Sequence, residues 1–137
     1  MSINEILNQT ETIAVIGCSS RPFRTSHQIS EYLLSEGFNI IPINPNEESV
    51  LGHKAYPSMS HLPDDFSVEL VVIFRNRRYT KKMIKEIVDW ADTMGQKPVI
   101  WTQLNVSTPE AKKLAEKHRL IYVENRCVMV EHQRVKI

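Results

Sequence analysis

What most constrains this chain is an alternation of two apolar patterns. Apolar runs rich in β-branched residues, interrupted only by Asn39 and Glu69, occupy Thr12 to Ile16, Phe38 to Ile43, Val68 to Phe74, Val99 to Trp101 and Leu120 to Val123. Between them lie segments whose apolar residues recur at helical spacing. A strand that is apolar on both faces must be covered on both faces, which is the condition of a parallel sheet between helical layers. The expectation is an α/β fold: a doubly wound, mostly parallel, Rossmann-like sheet with helices on both faces. The 137 residues suit one domain spanning 1–137.

The helices are read from spacing and caps. Ser2 to Gln9 carries a capping box in Ser2 and Glu5, with Ile3, Ile6 and Leu7 on one face. Thr25 or Ser26 caps a helix running to Glu36 and stopped by Gly37, with Ile29, Tyr32 and Leu33 inward. A short helical turn is expected around Ser58 to Leu62. Tyr79 to Met94 places Ile84, Ile87, Val88, Ala91 and Met94 on one stripe and ends at Gly95. Ser107-Thr108-Pro109-Glu110 starts a helix running to about His118. Lys54-Ala55-Tyr56 reads as a weak edge strand, giving strand order 3-2-1-4-5-6, and Cys127 to Val130 as a short extended piece. Pro42 removes one ladder donor from the second strand.

Charge and composition exclude several functions. The net charge of +1 is too small for a nucleic-acid coat. Two cysteines without C-x-x-C spacing make neither a disulfide scaffold nor a cysteine zinc site, and the five histidines form no H-x-x-x-H pair, so no metal is expected. No apolar run reaches the ~18–20 residues that span a bilayer, and the first residues lack a signal-peptide pattern. The expected setting is cytoplasmic, with no membrane partner and no nucleic acid.

In an open α/β sheet, ligands bind beyond the carboxyl ends of the strands. The first loop there, Gly17-Cys18-Ser19-Ser20-Arg21-Pro22-Phe23-Arg24-Thr25-Ser26, keeps only the first glycine of G-x-G-x-x-G. It carries hydroxyls on Ser19, Ser20, Thr25 and Ser26, and Arg21 and Arg24 without an acid. It also leads into a helix N-terminus, where free N–H groups favour anions. The second run ends at Asn44-Pro45-Asn46, where a nicotinamide enzyme usually has an acid; Asn46 itself reads as a turn residue. From Leu70 to Lys85 come Arg75, Arg77, Arg78, Lys81, Lys82 and Lys85 without an acidic residue. Cations at a helix start oppose its dipole by a few tenths to ~1 kcal/mol each, so folding alone does not favour them there. Lys82 and Lys85 are accounted for as a solvated helix face, whereas Arg75 directly follows a strand. Neither thiol has a sequence signature for a base partner, no Ser-His-Asp arrangement is readable, and the loops are poor in the acids that Mg²⁺-dependent phosphoryl transfer requires.

These residues resemble the small stand-alone CoA-binding proteins, relatives of the CoA-binding domain of succinyl-CoA synthetase α-subunits. The resemblance spans about residues 10 to 134. It rests on Ile13-Ala-Val-Ile-Gly-Cys-Ser19, Arg24-Thr-Ser26, Ile41-Pro-Ile-Asn-Pro-Asn46, Gly52-His-Lys-Ala-Tyr-Pro-Ser58, Ile73-Phe-Arg75, Trp101-Thr-Gln-Leu104, and Asn125-Arg-Cys127 with Glu131-His132. It implies coenzyme A or an acyl-CoA as ligand, with the 3′-phospho-ADP part over the strand ends. Gly17, Ser19 and Ser20 would then approach the pyrophosphate, with Cys18 and Arg21 on the same loop. Arg24, Thr25 and Ser26 would stand at the helix start, and Asn44 and Pro45 beside the nucleotide. Phe74, Arg75 and Asn76 would form the opposite wall, and Gln103 would close the far side.

The resemblance also implies a left-handed backbone at Asn105, where the family often has Gly. The family's Asp-Arg-Cys is here Asn125-Arg126-Cys127, which weakens any acid chemistry at that point. The expectation is a ligand-binding module, carrier or sensor, without catalysis. An NAD(P)-dependent oxidoreductase and a regulatory interaction module with a vestigial nucleotide site stay open, as does a protein partner.

Overall fold

The computed structural model describes residues 1–136. Its strands are β1 (Thr12–Ile16), β2 (Asn39–Ile43), β3 (Ser49–Val50), β4 (His53–Lys54), β5 (Leu70–Ile73), β6 (Val99–Thr102) and β7 (Tyr122–Val123). Its α-helices are α1 (Ile3–Gln9), α2 (Thr25–Ser35), α3 (Thr80–Met94), α4 (Pro109–Lys117) and α5 (Val128–Lys136). Short 3₁₀ turns occupy Met59–His61 and Arg77–Tyr79.

Five strands form one parallel sheet in the order β2-β1-β5-β6-β7. Alternate residues of each strand serve opposite layers, as the period of two requires. Ala14, Ile16, Val71, Ile73 and Ile100 pack with Ile84, Ile87 and Val88 of α3 and with Ala111 and Ala115 of α4. Ile13, Val15, Leu70, Val72 and Trp101 pack with Ile6 and Leu7 of α1, Ile29 and Leu33 of α2, and Val128 of α5. The two-sided apolar strands therefore have the two-sided cover they demand. The chain leaves β1 toward β2 on one side and returns to β5 on the other, so a crevice opens between the carboxyl ends of β1 and β5.

Three expectations need correction. The edge strand at Lys54-Ala55-Tyr56 shrinks to one parallel bridge between Ile43 and Tyr56. Tyr56 N–H donates to Pro42 O at 3.0 Å and Asn44 N–H donates to Tyr56 O at 2.9 Å. Pro42 and Pro57 have no N–H, so the ladder cannot grow, and His53–Lys54 pairs antiparallel with Ser49–Val50 instead. Cys127 to Val130 is not extended. Helix α5 begins at Val128, whose N–H is capped by Gln103 Oε1 at 2.9 Å, and its apolar side packs on the α1–α2 layer. Helix α2 is capped by neither Thr25 nor Ser26. Its N-cap is Arg24, with no side-chain capping bond.

Asn105 has φ 62°, the left-handed conformation expected of it, and Asn125 has φ 58°. Of the described helices, none is long and apolar enough to cross a membrane.

Candidate ligand-binding cleft

Gly17 sets the floor of the crevice. Its φ is 85°, and a Cβ there would lie 2.1 Å from the Phe74 carbonyl oxygen. Gly17 N–H donates to Ile43 O and Phe74 N–H to Ile16 O, each at 2.8 Å. Only glycine lets the backbone turn out of β1 this close to β5.

The loop after Gly17 is held by side chains that point inward. Ser26, buried at the start of α2, accepts from Ser19 N–H through its Oγ at 3.1 Å. His27 Nδ1–H donates to Ser19 O at 2.9 Å. Asn44 Nδ2 donates to Cys18 O at 3.0 Å, while its Oδ1 accepts from Asn46 N–H at 3.0 Å. Ser26, His27 and Asn44 thus act as struts. With Ser26 engaged by the loop, no side chain caps α2, and its first N–H groups are left for an anion.

Around this frame lies an open cleft of about 1250 Å³ over the strand ends. Of the residues singled out from sequence, Gly17, Ser19, Ser20, Arg21, Arg24, Thr25, Ser26, Asn44, Phe74, Arg75, Asn76 and Gln103 line it. Cys18 and Pro45 do not. Cys18 is fully buried, 3.4 Å from Ser30 Oγ, and burial pushes its thiol pKa up. Asn76 is the N-cap of the Arg77–Tyr79 turn, accepting from Arg78 N–H through Oδ1 at 3.1 Å.

The cations are left free. Among the described residues, no carboxylate lies within 4.0 Å of Arg21, Arg24 or Arg75. The Arg75 guanidinium stands 4.9 Å from the centre of the Tyr79 ring, which also carries Arg78 at 4.9 Å. Stacking fixes the Arg75 group without neutralising it.

The cleft also holds residues the sequence reading missed. Phe23 and Leu104 line it while 71% and 57% exposed. Lone apolar residues inside polar loops were the available signal. Glu47 brings a carboxylate that accepts from Ser20 N–H at 2.5 Å and Ser20 Oγ–H at 2.8 Å. Those two bonds hold its pKa below the usual carboxylate range. Tyr79 and Cys127 complete the rim. The described residues contain no cluster of three metal-ligating side chains.

The cleft joins cations without ion-pair partners to exposed apolar side chains, and comparison with known proteins gives the chain a family. The family model described as CoA binding domain matches residues 11–133. The chain belongs to the CoA binding domain family. The chain is 31% identical over 134 residues to the Bacillus subtilis (strain 168) protein named uncharacterized protein YneT, covering 98% of this chain and 94% of that one. It is 30% identical over 89 residues to the acetate–CoA ligase (ADP-forming) II subunit alpha of Pyrococcus furiosus, covering 64% of this chain and 18% of that subunit. The same fold is seen in a solved structure, a hypothetical protein from Pyrococcus horikoshii OT3. It superposes with a TM-score of 0.89 at 37% identity, covering 98% of this chain and 90% of that chain.

Proposed function

We propose that this protein binds coenzyme A, as free thiol or acyl thioester, across the carboxyl ends of its strands, and acts as a carrier or sensor rather than a catalyst. The observation that carries this reading is the convergence of unpaired Arg21, Arg24 and Arg75 on the uncapped start of α2. Three cations without an ion-pair partner, beside free backbone donors, outnumber the single carboxylate of Glu47 and match a ligand bearing several phosphate oxygens.

The rest of the cleft fits the remainder of such a ligand. Phe23 and Leu104 offer apolar surface to a purine or to the arm, and Gln103 offers an amide to the arm's peptide-like groups. Ser19, Asn44 and Ser26 hold the loop in shape through bonds to their own chain. No nucleophile–base pair accompanies these groups, so the reading assigns binding and orientation without a chemical step. A cytoplasmic setting belongs to the same proposal.

The test is calorimetric titration with CoA, dephospho-CoA, ADP and NAD, alongside melting curves. CoA is expected to bind tightest and to raise the melting temperature, since ligand at a hundred times its Kd adds ~2.7 kcal/mol of apparent stability. Equal affinity for NAD and CoA overturns the assignment and favours the oxidoreductase alternative. No binding by any of them leaves the regulatory module.

A further inference from the structure

The cations around the crevice come from two sides of the sheet. Arg21 and Arg24 belong to the loop that leads into the uncapped start of α2. That helix lies in the layer with α1 and α5. Arg75 and Arg78 gather on Tyr79, the N-cap of α3, and α3 lies in the opposite layer with α4.

Arg75 is fixed along its length. Its stem crosses the glycine floor, with Cδ 3.4 Å from where a Cβ on Gly17 would stand. Its head is 4.9 Å from the centre of the Tyr79 ring, and the Arg78 head is 4.9 Å from the same point. The two guanidinium carbons are therefore no farther apart than twice that distance. Tyr79 lines the cleft, and Arg78 is exposed beside it.

Among the described residues, neither arginine has a carboxylate within 4.0 Å. Two like charges held on one ring repel each other, and the dipole of α3 opposes both. Folding alone does not favour the arrangement. A dianion that takes a charge-assisted hydrogen bond from each guanidinium offsets both costs.

A diphosphate seated on α2 leaves this second pair unfilled, because the two helices cover opposite faces of the sheet. CoA carries one further anionic group, the phosphate monoester on its ribose, which dephospho-CoA and NAD lack. Only the ribose separates that group from the diphosphate. Such a short span suits the step between β1 and β5, which are paired neighbours ~4.8 Å apart.

We infer that the Arg75–Tyr79–Arg78 stack is the specificity element for a ribose phosphate monoester, and that it separates CoA from dephospho-CoA. Arg75 and Arg78 bind the monoester. Tyr79 is a positioning residue, whose ring holds the two heads side by side. This inference rests on the CoA reading above and names the part of the ligand that these residues read.

The experiment titrates CoA and dephospho-CoA calorimetrically into the whole chain and its variants, and reads the ratio of the two Kd values. The parent should bind CoA at least about tenfold tighter than dephospho-CoA. Arg78→Ala should cut that ratio to about threefold or less, with dephospho-CoA affinity unchanged. Tyr79→Leu should lower the ratio in the same way, and Tyr79→Phe, which keeps the ring, should retain it. Arg21→Ala should weaken both ligands alike and leave the ratio as it is. A parent that binds CoA and dephospho-CoA equally overturns the inference and leaves the CoA reading standing. Arg78→Ala weakening both ligands to the same degree does so too. Failure to bind either ligand overturns the reading itself, and the inference with it.

Discussion

At the amino-terminal edge of the sheet, Glu69 Oε1 accepts from the N–H groups of Glu11 and Thr12 at 3.0 and 2.8 Å. Gln96 accepts from Val68 N–H at 2.9 Å and donates to Phe66 O at 2.8 Å, and Thr10 Oγ1–H donates to Ile6 O at 2.7 Å. A cavity of about 320 Å³ opens among these residues; Thr10, Glu69 and Gln96 on its wall are engaged with their own chain, and Lys97 is the one basic side chain among its lining residues. At the carboxyl edge, side chains of the same kinds hold a loop open, while Arg21, Arg24 and Arg75 are left without partners. Space alone does not distinguish the two edges; the gathering of three unpaired cations at one of them does. An unpaired cation facing a cleft adds nothing to folding, so the imbalance points to a ligand.

The sharpest way to break this comparison is at the glycines. Gly17→Ala should cost about 3 kcal/mol of stability, because the new Cβ meets the Phe74 carbonyl at a positive φ. Gly95→Ala, at φ 64° with nothing within 4 Å of the added atom, should cost only about 1 kcal/mol. Urea denaturation of both variants measures the difference.

Side-chain removal should separate binding from stability next. Arg24→Ala and Arg75→Ala should each weaken CoA binding by ~1.5–3 kcal/mol. The unliganded melting temperature should move little, since Arg75 loses only a stacking contact with Tyr79. Lys85→Ala should cost well under 1 kcal/mol of binding. Glu69→Ala should do the reverse, lowering stability by ~1–3 kcal/mol with CoA affinity unchanged. Calorimetry and melting curves together read both axes. An Arg75→Ala protein that binds CoA like the parent would misplace the cleft.

Glu47 gives a smaller effect of opposite sign. Its carboxylate holds the N–H and hydroxyl of Ser20 that a ligand anion would use. Glu47→Gln should therefore strengthen CoA binding, by no more than about tenfold. Weaker binding would show that the carboxylate instead receives a donor from the ligand.

The smallest effect is in pH. Glu36 is held below its ordinary 4.5 by its bond to Lys136, and Glu124 by its bonds to Ser107 and Lys112. A carboxylate with a depressed folded pKa stabilises fully above the unfolded value and loses that contribution as pH falls through the folded one. Melting temperature should thus decline below pH 4.5, and Glu36→Gln should shallow the decline.

Strands and helices were legible where burial dictates residue type. A strand covered on both faces admits only apolar side chains, so Leu70-Val71-Val72-Ile73 could be nothing else. Lys81 and Lys82, which break the helix-dipole preference, do not line the cleft, whereas Arg75 was legible because it directly follows a buried strand, and Arg21 and Arg24 because their loop carries no acid. Pairing at the edge was not, since Lys54-Ala55-Tyr56 is stopped by what Pro42 and Pro57 lack. Helix α5 was hidden because Cys127-Val128-Met129-Val130 is a β-branched run in isolation. Its helical start depends on Gln103, twenty-five residues earlier in the chain.

The two thiols divide most clearly what each level decides. Cys18 and Cys127 both follow a strand in a polar loop, and nothing local tells them apart. Residue type and spacing determined the layers, the sheet and the edge at which a ligand would sit, because those follow from which side chains water excludes. Which way a loop side chain points was decided only by tertiary contacts. Ser30 and the α2 layer draw Cys18 inward, while Trp101 and Gln103 hold the Cys127 segment against the cleft. A loop has no period of its own to orient its side chains, so partners distant in the chain must do it.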